Sequence, residues 1–345
     1  MNSNTFSRLG SALALICVTA CGDDDVGVSA AHDAATAGRV DAGLDAAAVV
    51  GFDATIAADA VVKTPDAAPT TLSLTLRFKG KVGSEDLVCG HDYANQGSSK
   101  VSITPRDFRF FVQEVRLISA SGTEVPLALD ERLPFQTKQV ALLDFTDGEG
   151  ACTSGAPNTN TIITGTVPAD DYTGIVLVNG VSETLNHADP TTAPAPLQAP
   201  GASWGWTLGY RFFMAEVERH GLQSADAGAT LDAGPVADAG GKSDASVPAA
   251  SGVALFHLGS TGCDGTPGGG IRCTNPNRAE VRLTGFHASS STIVADLGAV
   301  FATADLAGDV QCHGAGPTCA PMFEQLGIDL ASGASLPTQR VFRLE

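Results

Sequence analysis

Beyond residue 70 the chain is patterned mostly with a period of two, the spacing of strands that bury one face. Thr71-Leu-Ser-Leu-Thr-Leu-Arg-Phe78 sets Leu72, Leu74, Leu76 and Phe78 on one side. Phe108–Leu117 alternates as well, with a slip of phase near Gln113 that predicts a β-bulge. Further strands are expected at Gln139–Phe145, Thr161–Val167, Gly174–Val181, Thr207–Glu218, Val253–Leu258, Glu280–Phe286 and Thr292–Asp296, with clusters of Gly, Pro, Asn and Asp between them. Helical spacing is confined to Cys319–Leu326. Many short strands and so little helix predict an all-β fold, an antiparallel β-sandwich with disulfide-stapled loops, as one domain over residues 71–345.

Two stretches break the pattern. Residues 22–70 and about 221–250 are built from Ala, Asp, Gly and Val, with repeats such as Asp41-Ala-Gly and Asp66-Ala-Ala-Pro69. Neither has enough apolar surface to offset chain entropy, so the first is expected to be a disordered tether and the second a disordered insertion in a surface loop. Together they hold −10 of the net charge of −18, which leaves a mildly acidic domain and argues against nucleic acid as a partner. The chain opens with Arg8, the apolar run Leu9 to Ala20 and then Cys21. That is the form of a secretory signal over residues 1–20, too short to span a bilayer. Val18-Thr19-Ala20-Cys21 fits a bacterial lipobox, which makes Cys21 the lipidation site and predicts a lipoprotein anchored to the membrane of the cell envelope, with Gly22 favouring the outer membrane. An unlipidated signal peptide is the rival reading.

Cysteine usage agrees with export. Apart from Cys17 and Cys21, six remain: Cys89, Cys152, Cys263, Cys273, Cys312 and Cys319. An even set in an exported domain reads as disulfides. Cys263 and Cys273 flank a Gly/Pro loop, Cys312 and Cys319 close His313–Thr318, and Cys89 with Cys152 is left by elimination. A zinc or iron–sulfur site is the alternative, weakened by the lack of any C-x-x-C spacing.

No hydrolase, P-loop, zincin or dinucleotide motif occurs, and no nucleophile–base or paired-acid arrangement stands out, so an enzyme is not expected. Asp144-Phe-Thr-Asp147-Gly148-Glu149 lacks the ligand spacing of a calcium loop and reads as a strand ending in an acidic turn. Histidines are more informative, because imidazole on loops held by a rigid sheet suits copper or zinc. His187 follows a strand in Asn186-His187-Ala-Asp189-Pro190, and His257 ends one in Phe256-His257-Leu-Gly-Ser-Thr-Gly-Cys263. Either alone is more often a structural or surface histidine. Trp204 and Trp206, the sole tryptophans, stand two apart in an expected strand with both rings on one side, and Gly205 leaves the opposite face bare for a close approach.

Several segments taken together resemble the MbnP family: Asp107-Phe-Arg-Phe-Phe-Val112, Val140-Ala-Leu-Leu-Asp-Phe145, Ala151-Cys152, Asp171-Tyr-Thr-Gly174, Leu185-Asn-His187-Ala-Asp189, Trp204-Gly-Trp206 with Gly209-Tyr210, His257-Leu-Gly-Ser-Thr-Gly-Cys263 and Cys273-Thr-Asn-Pro-Asn-Arg278. They cover most of 71–345 in order. The resemblance implies an envelope copper-binding protein whose partner is a di-heme cytochrome c peroxidase-like protein, MbnH. It also implies that this partner oxidises a tryptophan to kynurenine, whose aniline nitrogen helps hold copper. Carried over, His187 and His257 are the ligand candidates and Trp204 or Trp206 the modified residue. Cys312-His313-Gly314 stands where relatives often have Cys-Met-Ser, so His313 is a third candidate, with nitrogen in place of sulfur.

The 221–250 tract and Ser182-Glu183 ahead of the His187 loop depart from the family pattern. The expected function is copper storage, handling or acquisition. Two alternatives stay open: a redox partner of the di-heme protein, whose tryptophans relay electrons, and a non-metal surface binder of carbohydrate or adhesin type.

Overall fold

The computed structural model describes residues 70–155, 157–221, 252–266 and 270–345, all within one unit spanning 64–345. The signal, Cys21, the tether and nearly all of the insertion lie outside the described residues. In chain order the strands are β1 (Thr71–Val82), β2 (Glu85–Asp86), β3 (Tyr93–Gln96), β4 (Val101–Ser119), β5 (Glu124–Pro126), β6 (Ala128–Leu129), β7 (Ala141–Asp144), β8 (Ile162–Pro168) and β9 (Tyr172–Asn179). After helix α1 (Glu183–Asn186) come β10 (Phe213–His220), β11 (Val253–Leu258), β12 (Thr261–Thr266), β13 (Gly270–Asn275), β14 (Ala279–Thr284) and β15 (Thr292–Asp296). Helix α2 (Leu297–Val300), β16 (Gln311–His313), α3 (Ala320–Leu326) and β17 (Phe342–Leu344) complete the chain.

Two sheets share one core. The smaller runs β17-β15-β1-β8-β6 and the larger β14-β9-β4-β10-β11-β16, with β3, β5 and β7 along the other edge of the long β4. Alternate residues of each sheet face inward, among them Leu76 and Phe78 of β1, Phe108 and Phe110 of β4, Phe213 and Ala215 of β10 and Phe256 of β11. Burying each large side chain contributes about 1.5–3 kcal/mol, which is what holds the layers together. All pairings are antiparallel except β1 with β15 and β11 with β16. Both parallel pairs join strands separated by long stretches of chain, as the crossover that parallel pairing needs requires.

The expected alternation holds with local corrections. Leu72 is 38% exposed, because the sheet's cover gives out at the start of β1. The slip in β4 is a bulge: Glu114 takes φ 48° and the register with β9 shifts between Gln113 and Arg116. The strand expected from Thr207 begins only at Phe213. Residues 201–212 instead form turns that lie on the outer face of the large sheet, where Ala202, Tyr210 and Phe212 pack with Phe111, Leu142 and Met214 in a second apolar cluster. All three disulfides pair as expected: Cys89–Cys152, Cys263–Cys273 and Cys312–Cys319.

Candidate metal centre

The outer face of β10 and β11 carries the centre. In β11, Ala254, Phe256 and Leu258 turn to the core, and the period of two sends His257 the other way. In β10 the same face holds Met214, paired with His257, and Glu216 two pairs further on, opposite Leu255. His257 is only 3% exposed, and its Nε2 lies 2.8 Å from Glu216 Oε1. With Nε2 held by the carboxylate, Nδ1 is the ring nitrogen left for a metal. Nδ1 is buried and has no hydrogen-bond partner.

Burial would raise the Glu216 carboxyl, but hydrogen bonds from His257 and Ser154, with the charges of His257 and Arg106, outweigh it and bring the group down to about 2. Glu216 is therefore a fixed negative charge behind the imidazole, the arrangement that orients a metal-binding histidine and raises its basicity. Behind it, Arg109 donates to both oxygens of Asp107 at 2.7 Å and to the carbonyls of Pro200 and Ser154 at 2.9 and 3.0 Å. This buried fork ties the 201–212 turns to β4. Burial lifts Asp107 to about 6, against the pull of Arg109. Neighbouring Asp144 is lifted to about 7, again chiefly by burial, with one oxygen unpartnered.

β16 adds the second imidazole. Its parallel pairing sets His313 opposite His257, with ring centroids 5.3 Å apart at a steep angle. Partial burial first, then the charges of His257 and Arg211, lower the His313 ring below the ordinary histidine value and favour its neutral, ligating form.

Trp204 completes the group. Its ring lies against the bare backbone of Gly259, two residues past His257: a Cβ there would fall 2.5 Å from Trp204 Cζ3. The Arg211 guanidinium sits 5.4 Å above the indole. Trp204, Leu208, Arg211, Cys263 and His313 line one pocket of about 610 Å³. The two tryptophans are not a same-face pair on a strand. Trp204 N–H donates to Gly209 O and Gly209 N–H to Gly205 O, a tight turn that leaves Trp204 half-buried and Trp206 43% exposed. Gly205 is required by its φ of 97°; nothing approaches within 4 Å of where its Cβ would be.

His187 lies elsewhere, at the end of α1. Its Nδ1 is 2.8 Å from the Trp206 carbonyl and its Nε2 3.2 Å from Cys273 Sγ. Thus Trp204 and His313 share one pocket with His257 behind His313, while His187 and Trp206 meet beside the Cys263–Cys273 bridge. Sequence reading missed Glu216 and Arg211. A glutamate among buried neighbours in β10 was the available signal, but its partner depends on register.

The donor set fits a borderline or soft metal: a carboxylate-backed imidazole with a free buried nitrogen, a second neutral imidazole, and an aromatic pocket. The MbnP family model matches residues 71–317, which include every residue of this set. A search of curated proteins gives no match. Among solved structures, MbnP from Methylosinus trichosporium superposes with a TM-score of 0.63 at 27% identity, covering 80% of this chain and 98% of that one. The chain belongs to the MbnP family.

Proposed function

We propose that this protein binds copper at His257 and His313, with a third donor made from Trp204. The observation that carries the proposal is the buried, unpartnered Nδ1 of His257, beside His313 and backed by Glu216. An imidazole nitrogen kept from water and given no protein partner is costly unless something else occupies it. Copper, when bound, would supply that partner, and His313 would be the second ligand.

Trp204 rather than Trp206 is the residue proposed for oxidation, since it shares the pocket with His313. Cleavage of its indole C2–C3 bond with two added oxygen atoms gives N-formylkynurenine; water then releases C2 as formate and leaves an aniline amine. Two molecules of hydrogen peroxide, used by a di-heme peroxidase-like partner, would supply the two oxygen atoms and leave as water. Exposed Leu208 lines the same pocket, where a partner could reach it. The export signal and Cys21 read from the sequence support a place in the cell envelope, anchored through lipid.

The test is a Cu(I) competition titration against a chromogenic chelator on the parent, His257→Ala and His313→Ala. Both variants should lose the tight copper equivalent; retention of parental affinity in both would remove the site.

A further inference from the structure

Of the three disulfides, Cys263–Cys273 is the open one. Cys152, Cys312 and Cys319 are buried, which shields the other two bridges. Cys263 and Cys273 are both half-exposed, on the β12–β13 hairpin, which is hydrogen-bonded to neither large sheet. Access by a reductant therefore differs in kind between this bridge and the rest.

His187 is arranged around it as a ligand would be. Its Nδ1 lies 2.8 Å from the Trp206 carbonyl, so that N–H donates there and the Nε2 lone pair faces the bridge, where it accepts from Asn186 Nδ2 at 3.1 Å. This is the backbone-carbonyl support that metal-binding histidines use to fix their tautomer. Nε2 then points at sulfur, 3.2 Å from Cys273 Sγ, and one donor atom each of His187, Cys263 and Cys273 lie within 4.8 Å of one another. Asn186 Nδ2, 3.1 Å from Nε2 and 4.0 Å from the same sulfur, is the donor an ion would displace from the imidazole and leave for a thiolate. A pocket of about 480 Å³, lined in part by Glu183, His187 and Arg272, opens the site to solvent.

We propose that His187, Cys263 and Cys273 form a second, redox-gated metal site, closed as the disulfide and opened by a dithiol reductant to hold a thiophilic ion, zinc(II) or copper(I). In the opening step the Cys263–Cys273 bond breaks, the reductant's two thiols close into its own disulfide, and two electrons and two protons pass to the cysteines. Binding then displaces both thiol protons. Two thiolates and a neutral imidazole hold the ion, with a fourth position free for water. Cys263 also lines the Trp204 pocket, but the site uses neither His257, His313 nor Trp204, so the two proposals have separate ligands and can fail separately.

The experiment uses the whole protein, limited treatment with dithiothreitol, and alkylation mapping, followed by cobalt(II) as the probe. Cys263 and Cys273 should be freed before the other four cysteines. The reduced protein should then take up one equivalent of cobalt(II) with an intense near-ultraviolet sulfur-to-metal band that the oxidised protein lacks, and zinc(II) should bleach it. His187→Ala should weaken cobalt binding by about tenfold or more while keeping the band. The double variant Cys263→Ser with Cys273→Ser, which leaves no stray thiol, should lose the band, and His257→Ala should keep both band and affinity. Release of Cys312 and Cys319 first, no band after reduction, or parental affinity in His187→Ala would each overturn the proposal.

Discussion

Replacing Gly259 by alanine adds a methyl group where the Trp204 ring rests on the backbone, two residues past His257. That carbon would stand 2.5 Å from Trp204 Cζ3 and 2.5 Å from the Tyr210 carbonyl oxygen. Both separations are roughly 1 Å inside ordinary contact distance. The ring can turn aside on its own bonds. The carbonyl cannot, because Tyr210 is fully buried and bridged to Ser203. Overpacking of this kind costs about 1–3 kcal/mol. At about 2–4 °C per kcal/mol for a domain of this size, the melting temperature should fall by roughly 2–12 °C. Scanning calorimetry at neutral pH measures it, with Gly308→Ala, whose methyl would meet nothing closer than 3.5 Å, as the control. Displacement of Trp204 from the pocket should also lower copper affinity and the yield of oxidised Trp204 together. A Gly259→Ala protein that melts with the parent and still oxidises Trp204 in full would refute the packing argument.

Glu216→Gln keeps an acceptor for His257 Nε2 but removes the charge, so Cu(I) affinity should drop about 10–100-fold in the chelator competition with little loss of stability. Asp144 is raised from 3.8 to about 7 in the fold, so between those values the native state holds the extra proton and stability falls as pH rises. Up to about 4 kcal/mol is lost across that window, and Asp144→Asn should flatten the dependence and stabilise at pH 8; denaturant melts that keep the parental pH slope would contradict this. Arg109→Met leaves Asp107 buried without its partner and should cost about 3–5 kcal/mol by urea unfolding, much of it recovered when Asp107→Leu is added; an unchanged midpoint in the single variant would count against the ion pair.

The fold was legible where one face of a strand is buried and the other is not. Val253–Leu258 and Thr292–Asp296 coincide with β11 and β15, and the phase slip near Gln113 is the bulge at Glu114. Cysteine spacing was enough for the bridges, since each short loop has its own pair. Legibility failed at Trp204 and Trp206, whose alternation mimics a strand. There, Gly205 and Gly209, with φ of 97° and 84°, bend the chain into a turn. β16, which sets His313 beside His257, has three residues and takes its register from a parallel neighbour far away in sequence. Glu216 was silent for the same reason: whether a strand glutamate meets solvent or a histidine is decided by pairing, which a single strand does not encode. The resemblance supplied candidate ligands; the sheets sorted them into two groups.

The central claim, that Trp204 is remade into a copper ligand beside His257 and His313, is tested most directly by peptide mass. The peptide containing Trp204 and Trp206 should be taken from protein isolated from its own copper-replete cells and fragmented to locate any change. The account predicts loss of one carbon and gain of one oxygen at Trp204, with Trp206 intact. Two unmodified tryptophans in protein that carries copper, or a change confined to Trp206, would contradict it.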